Sequence, residues 1–298
     1  MATRGRRTSD EQAAIDPAAR AVVRRLLEEK GQAVSAETRR AIVALGPAAV
    51  APLVEMMEDE DLAMDDAPGA GMGQVWAVRM LCELKAAAAV EPMLRLMVAT
   101  GSMDYLHDEL VVRLPKLGAA VVEPALRGRA ASDDEDARGD FAAVLAACGV
   151  RDPRILAVLI EEVRARPTSA AMLAEYGDPA ALPFLSEVLD RYEVKGPPRL
   201  LGDQGLTELT VSIKELGGTL TAAQQRKLDR GTASVEASRA QLKAALARRG
   251  RGGGAAAAAA PRVAPARRAV RPGPNEPCWC GSAKKYKTCH RQADERGG

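Results

Sequence analysis

Aromatic side chains are scarce, at 3% of 298 residues, and the chain holds only two histidines and five cysteines. With few runs of β-branched and aromatic residues, there is little from which to build a sheet, so an all-α fold is expected. No run of about 18 apolar residues occurs, so no membrane span is expected. Met1 to Asp16 is polar and charged, without the apolar stretch of a secretion signal. Clustered cysteines without such a signal lead to an expected cytoplasmic location. No G-x-x-x-x-G-K-[ST] segment is present, which removes a P-loop motor. No acid–base or nucleophile set stands out either, so no enzymatic activity is expected.

Isolated polar features read as structural. His107 is solitary and is expected to be solvated or capping. Cys82 and Cys148 fall on apolar helical faces and are expected to be buried. Glu58-Asp59-Glu60-Asp61 with Asp65-Asp66 lacks calcium-loop spacing and reads as a solvated loop. Gly69 to Gly73 reads as a flexible connection between helices, and Asp133 to Asp136 as a helix start. Met56, Met57, Met93 and Met97 follow helical spacing and belong in a core.

What the chain has is alanine and aliphatic residues, with hydrophobic content of 47%. A pattern recurs in them. Ala49-Val50-Ala51-Pro52-Leu53-Val54 is repeated as Ala89-Val90-Glu91-Pro92-Met93-Leu94, as Val121-Val122-Glu123-Pro124-Ala125-Leu126, and as Ala180-Ala181-Leu182-Pro183-Phe184-Leu185. The prolines are 40, 32 and 59 residues apart. The last interval holds two units of about 30 residues, with the missing copy at Asp152-Pro153-Arg154-Ile155. Val90, Met93, Leu94, Met97 and Val98 keep helical spacing, and each proline is expected near a helix start, where its missing N–H costs little. Partner helices are expected at about 75–84, 105–117, 138–147, 169–176 and 205–216. Pro17 to about Lys30 should form a first helix. A helix pair cannot cover its own apolar face, but stacked pairs can, which gives an α-solenoid over residues 17–218. The pattern resembles HEAT repeats of the short alanine-rich bacterial kind, over roughly residues 33 to 217. A polar helix follows at 219–249. Residues 250–272 are rich in Gly, Ala, Pro and Arg and read as a linker with a span of about 25–30 Å.

Charge is unevenly placed. Residues 248 to 298 carry twelve Lys/Arg against three Asp/Glu, and the remainder carries thirty against thirty-seven. A basic tail on a mildly acidic body suits an anionic partner for the tail, either RNA or an acidic protein face. The alternative is that the basic linker only keeps the tail soluble.

Within that tail, Cys278, Cys280, Cys289 and His290 are the donors of residues 273–291. Three thiolates and an imidazole suit one tetrahedral zinc ion, with Gly281-Ser282-Ala283 as the turn that brings the two pairs together. The segment is too short for a core, so metal binding would supply its folding energy. Cys278-x-Cys280 is tighter than the usual C-x(2–4)-C, and adjacent ligands at Cys289-His290 are unusual. A redox dithiol, a disulfide or a loose basic tail are the competing readings. A closed four-ligand site leaves no position for water, so a structural zinc is expected. Lys284, Lys285, Lys287 and Arg291, with Trp279 and Tyr286, form an expected basic-aromatic contact face.

This segment resembles the SEC-C motif, the zinc-binding tail of the SecA preprotein translocase ATPase. The match runs through Gly273, Asn275, Pro277, Cys278, Cys280, Gly281, Ser282, Lys284, Lys285, Tyr286, Lys287, Cys289 and His290. It departs at Pro274, Glu276, Trp279 and Ala283. The resemblance implies one zinc and a docking role toward a SecB-like chaperone or a ribosome, with residues 292–298 as a trailing tail. The expected whole is an adaptor whose solenoid holds a protein partner. Nucleic-acid binding with the finger as a knuckle, or a lyase-like HEAT enzyme, are the alternatives. The first of these needs Lys and Arg along the solenoid's inner face.

Overall fold

The computed structural model describes residues 16–29, 31, 33–102, 104–194, 203–252, 278, 282 and 284–290. The expected N-terminal segment apart from Asp16, the expected tail, and all of the expected linker past Gly252 lie outside the described residues. Two compact units are present, Met1–Ser238 and Arg239–Gly298.

Every regular element among the described residues is helical. The first unit begins with α1 (Pro17–Arg24), α2 (Ala36–Leu45), α3 (Val50–Glu58), α4 (Gly73–Glu83), α5 (Val90–Thr100) and α6 (Tyr105–Arg113). It continues with α7 (Ala119–Ala131), α8 (Glu135–Ala147), α9 (Pro153–Ala165), α10 (Ala171–Tyr176), α11 (Leu182–Arg191) and α12 (Gln204–Glu215). The unit boundary falls inside α13 (Ala222–Gly252), and α14 (Tyr286–Cys289) is a single turn in the second unit.

Local chemistry sets the helix ends. Ser35, Asp104, Asp134, Asp152 and Asp203 accept backbone N–H bonds at the starts of α2, α6, α8, α9 and α12. Gly177 ends α10 in the left-handed region at φ 71°, and its N–H donates to the Leu173 carbonyl at 3.0 Å. The repeated prolines lie in the first turn of α3, α5, α9 and α11. Pro124 is the exception. It is the sixth residue of α7, so the helix starts earlier than the repeat pattern places it.

Neighbouring helices pack as hairpins, with α3 on α4, α5 on α6, α7 on α8, and α11 on α12. Alternate helices also touch. α1, α3, α5 and α7 form one row, and α2, α4, α6, α8, α10 and α12 form a second. Each apolar stripe is therefore covered from two sides, and one continuous core runs from Val23 to Leu216. Trp76, Met57, Met93, Met97, Leu110 and Leu145 are fully buried in it. The methionine spacing marks core, as expected. Cys82 and Cys148 are buried as well.

One stretch, Ala36–Glu58, is long and apolar enough to cross a membrane by length and composition. It escaped the apolar-run criterion because charged residues interrupt it. Gly46 at φ 55° and a 3-10 turn break it into α2 and α3, and Ile42, Leu53 and Met57 belong to the common core.

The N-terminal half of α13 is tied to the end of α11. Gln224 Nε2 donates to Ser186 Oγ and Asp190 Oδ1 at 2.8 and 2.9 Å. Lys227 Nζ donates to the carbonyls of Leu189, Asp190 and Tyr192 at 2.7–3.0 Å. A cation on the last carbonyls of a helix satisfies groups the helix leaves open and complements its dipole.

Candidate metal centre

The second unit gathers donor atoms through two short backbone devices. The Cys278 N–H donates to the Lys284 carbonyl at 2.8 Å, which closes the chain back on itself. One helical turn follows from Tyr286, and the His290 N–H donates to the Tyr286 carbonyl at 3.2 Å. Thr288 reinforces the turn, its N–H and Oγ1 each 3.0 Å from the Lys285 carbonyl.

Adjacent ligands at Cys289 and His290 are unusual because neighbours on a helix diverge. Here the helix stops between them. His290 takes φ −115° and ψ −7°, and its ring turns back so that Nδ1 lies 3.1 Å from Cys289 Sγ. The same Nδ1 lies 3.3 Å from Cys278 Sγ. The nitrogen that faces the sulfurs is therefore Nδ1. The ligand atoms of Cys278, Cys289 and His290 all lie within 4.8 Å of one another.

These donors fit a metal ion. Tetrahedral zinc, with bonds of about 2.3 Å to sulfur and about 2.0–2.1 Å to nitrogen, sets S and N about 3.6 Å apart. The observed separations are a few tenths of an ångström shorter. Cys278 is buried, whereas Cys289 and His290 are half-buried. Ser282 Oγ stands 3.2 Å from Cys289 Sγ, where a hydroxyl can donate to a thiolate and help orient it. Sequence reasoning did not single out Ser282 for this place.

Comparison with known proteins decides what kind of segment this is. Residues 275–292 match the SEC-C motif. The tail is also similar to the protein translocase subunit SecA of Pseudomonas putida strain W619, with 59% identity over 32 residues. That stretch is 11% of this chain and 4% of the SecA chain. The SecA of strain F1 is 58% identical over 31 residues, 10% of this chain and 3% of that one. Similarity to these relatives is thus confined to the tail, and the chain spans only a few per cent of their length. No solved structure matches the chain.

Of the four expected ligands, three are brought together, and Cys280 lies outside the described residues, as do Trp279 and Arg291. Lys284, Lys285 and Lys287 are exposed. Tyr286 corrects the expected contact face, because it is only 4% exposed. It is the first residue of α14 and is buried, so it offers no free face to a base or a peptide.

His107 is also corrected. It is buried, with Nε2 2.9 Å from Asp140 Oδ2, and so ties α6 to α8 instead of meeting water. Its solitude in sequence concealed a carboxylate 33 residues away. The two body cysteines are inert. Burial pushes the Cys82 thiol up to about 11 and raises that of Cys148. Both donate to backbone carbonyls, of Arg113 and Leu145 respectively.

Proposed function

We propose that this chain is a non-enzymatic adaptor whose tail is a structural zinc knuckle and whose helical body holds a protein partner. The observation that carries the proposal is the convergence of Cys278 Sγ, Cys289 Sγ and His290 Nδ1 within the segment that matches the SEC-C motif. Cys280 completes the set as the fourth ligand in this reading. Bound zinc would act as a cross-link, supplying folding energy to a segment with almost no core. Cys278, Cys280, Cys289 and His290 would fill its coordination, leaving no open position. Exposed Lys284, Lys285 and Lys287 then surround the knuckle as its contact surface.

The body is read as a solenoid of HEAT-like hairpins. Two rows of alternate helices over one continuous core support that reading. Relatives of the tail are named protein translocase subunit SecA, which favours docking near exported or nascent chains, on a SecB-like chaperone or a ribosome. Thiolate ligands need a reducing setting, which fits the cytoplasm. Two contacts on one chain can hold a partner better than either alone.

The test is a pull-down from bacterial lysate with the full chain and with a form lacking residues 273–291. The account expects ribosomes or SecB-like chaperone to be recovered by the full chain and lost from the shortened one. Equal recovery by both would refute tail docking.

A further inference from the structure

The body as a whole is acidic, with thirty Lys/Arg against thirty-seven Asp/Glu before residue 248. One groove reverses that sign. It measures about 480 Å³ and runs across the row of alternate helices at α2, α4 and α6. Arg39, Arg79, Lys85, Arg113 and Lys116 all line it, and Glu83 is the one carboxylate among its lining residues. Glu109 stands behind Arg79 and Arg113 and binds both. Counting both carboxylates, five cations meet two anions.

The arginines are pre-set by those carboxylates. Arg39 Nε lies 2.8 Å from both oxygens of Glu83. Arg79 meets Glu109 through Nε at 3.2 Å and Nη2 at 2.6 Å. Among the described residues the lysines have no such counter-charge. Lys85 Nζ donates to the backbone carbonyl of Lys116 at 2.8 Å, and Lys116 has no carboxylate partner among the described residues. Both lysines are exposed. Lys85 also holds φ 53°, a left-handed conformation that strains a residue bearing a side chain. Glycine or asparagine would sit there more easily, yet the position carries an ammonium group.

The rest of the lining tells anions apart. Half-buried Val34 and the aliphatic stems of the cations give it apolar surface, and no aromatic ring is among its lining residues. Single-stranded nucleic acid is gripped by stacking bases on rings as well as by cations. A groove with cations and aliphatic surface, and without rings, suits carboxylates on an apolar chain better. Adjacent stacked helices lie about 8–10 Å apart, close to the span of three residues of extended peptide. The geometry points to an acidic peptide, with carboxylates interspersed among aliphatic side chains, as the occupant of this groove. This deepens the proposed protein-binding role of the body and rests on it.

The test uses the full chain and a fluorescein-labelled Glu/Leu peptide, read by anisotropy at low and high salt, with an oligothymidylate as the competing probe. The double variant Lys85→Asn with Lys116→Gln removes the two cations that lack counter-charges. Asparagine tolerates the left-handed position, so the variant should fold, and circular dichroism and its melting temperature check that it does. The expected result is saturable binding of the peptide that weakens with salt, weaker binding of the oligothymidylate, and a loss of about tenfold in the variant. Equal peptide affinity in a folded variant would overturn the groove while leaving protein binding by the body intact. Absence of peptide binding by the unaltered chain, or tighter binding of the oligothymidylate, would overturn the peptide assignment.

Discussion

Replacing Glu109 with glutamine should weaken the body in a way that depends on pH. Glu109 lies at the centre of a small network between α4 and α6. Its carboxylate accepts from Arg79 Nη2 at 2.6 Å and Tyr105 Oη at 3.0 Å, and it also pairs with Arg113 Nε. Its side chain is only 13% exposed. Burial pushes this carboxyl up, but hydrogen bonds from Arg79, Arg113 and Tyr105 prevail and bring it down to about 2. A fall from the ordinary 4.5 to about 2 corresponds to roughly 3 kcal/mol before screening. Solvent around the two guanidinium groups, whose side chains are 22% and 26% exposed, reduces that to about 2 kcal/mol. Glutamine keeps the shape but removes the charge and turns an NH2 group toward an arginine. The variant should therefore lose about 2 kcal/mol at neutral pH, or roughly 4–8 °C in melting temperature for a unit of this size. A carboxyl whose pKa is lowered by folding stabilises above its unfolded value, and that stability fades as pH falls toward the folded value. The gap between the two proteins should begin to close below about pH 4.5 and be less than half its neutral value by about pH 3. Melting curves at a series of pH values read this directly. Equal stability at neutral pH, or a gap that does not change with pH, would refute the reasoning.

Other outcomes follow from the same geometry. Trp76 is fully buried, and Trp76→Ala should cost about 3–5 kcal/mol in urea unfolding. Gly177→Ala forces a methyl group into the left-handed region at φ 71° and should cost about 1 kcal/mol or more, read as a lower melting temperature. Lys227→Met leaves three carbonyls at the end of α11 without their ammonium, and amide exchange should quicken in the first turns of α13 while the earlier helices keep their protection.

The helices were legible because their signals are local. The prolines at 52, 92, 153 and 183 each lie in a first helical turn, and Val90, Met93 and Met97 show the stripe that is buried. The donors of the tail were legible for the same reason, since four soft or borderline ligands within thirteen residues need no folding to be noticed. What escaped was set by packing between distant residues. His107 meets Asp140 only because α6 lies on α8. Tyr286 looked like a contact residue among lysines, but it begins a turn in which it is buried. The basic groove escaped because its cations come from α2, α4 and α6 and from the turns that follow α4 and α6, some thirty to forty residues apart in sequence, and a net charge averages over the faces that stacking separates.

Zinc in the tail is the feature on which the proposed role depends. Elemental analysis of the full chain, purified under reducing conditions without added metal, should find one zinc per chain, and Cys289→Ser should lose most of it. A chain that carries no zinc, or a variant that keeps as much as the original, would contradict the claim that these thiolates and His290 Nδ1 hold an ion.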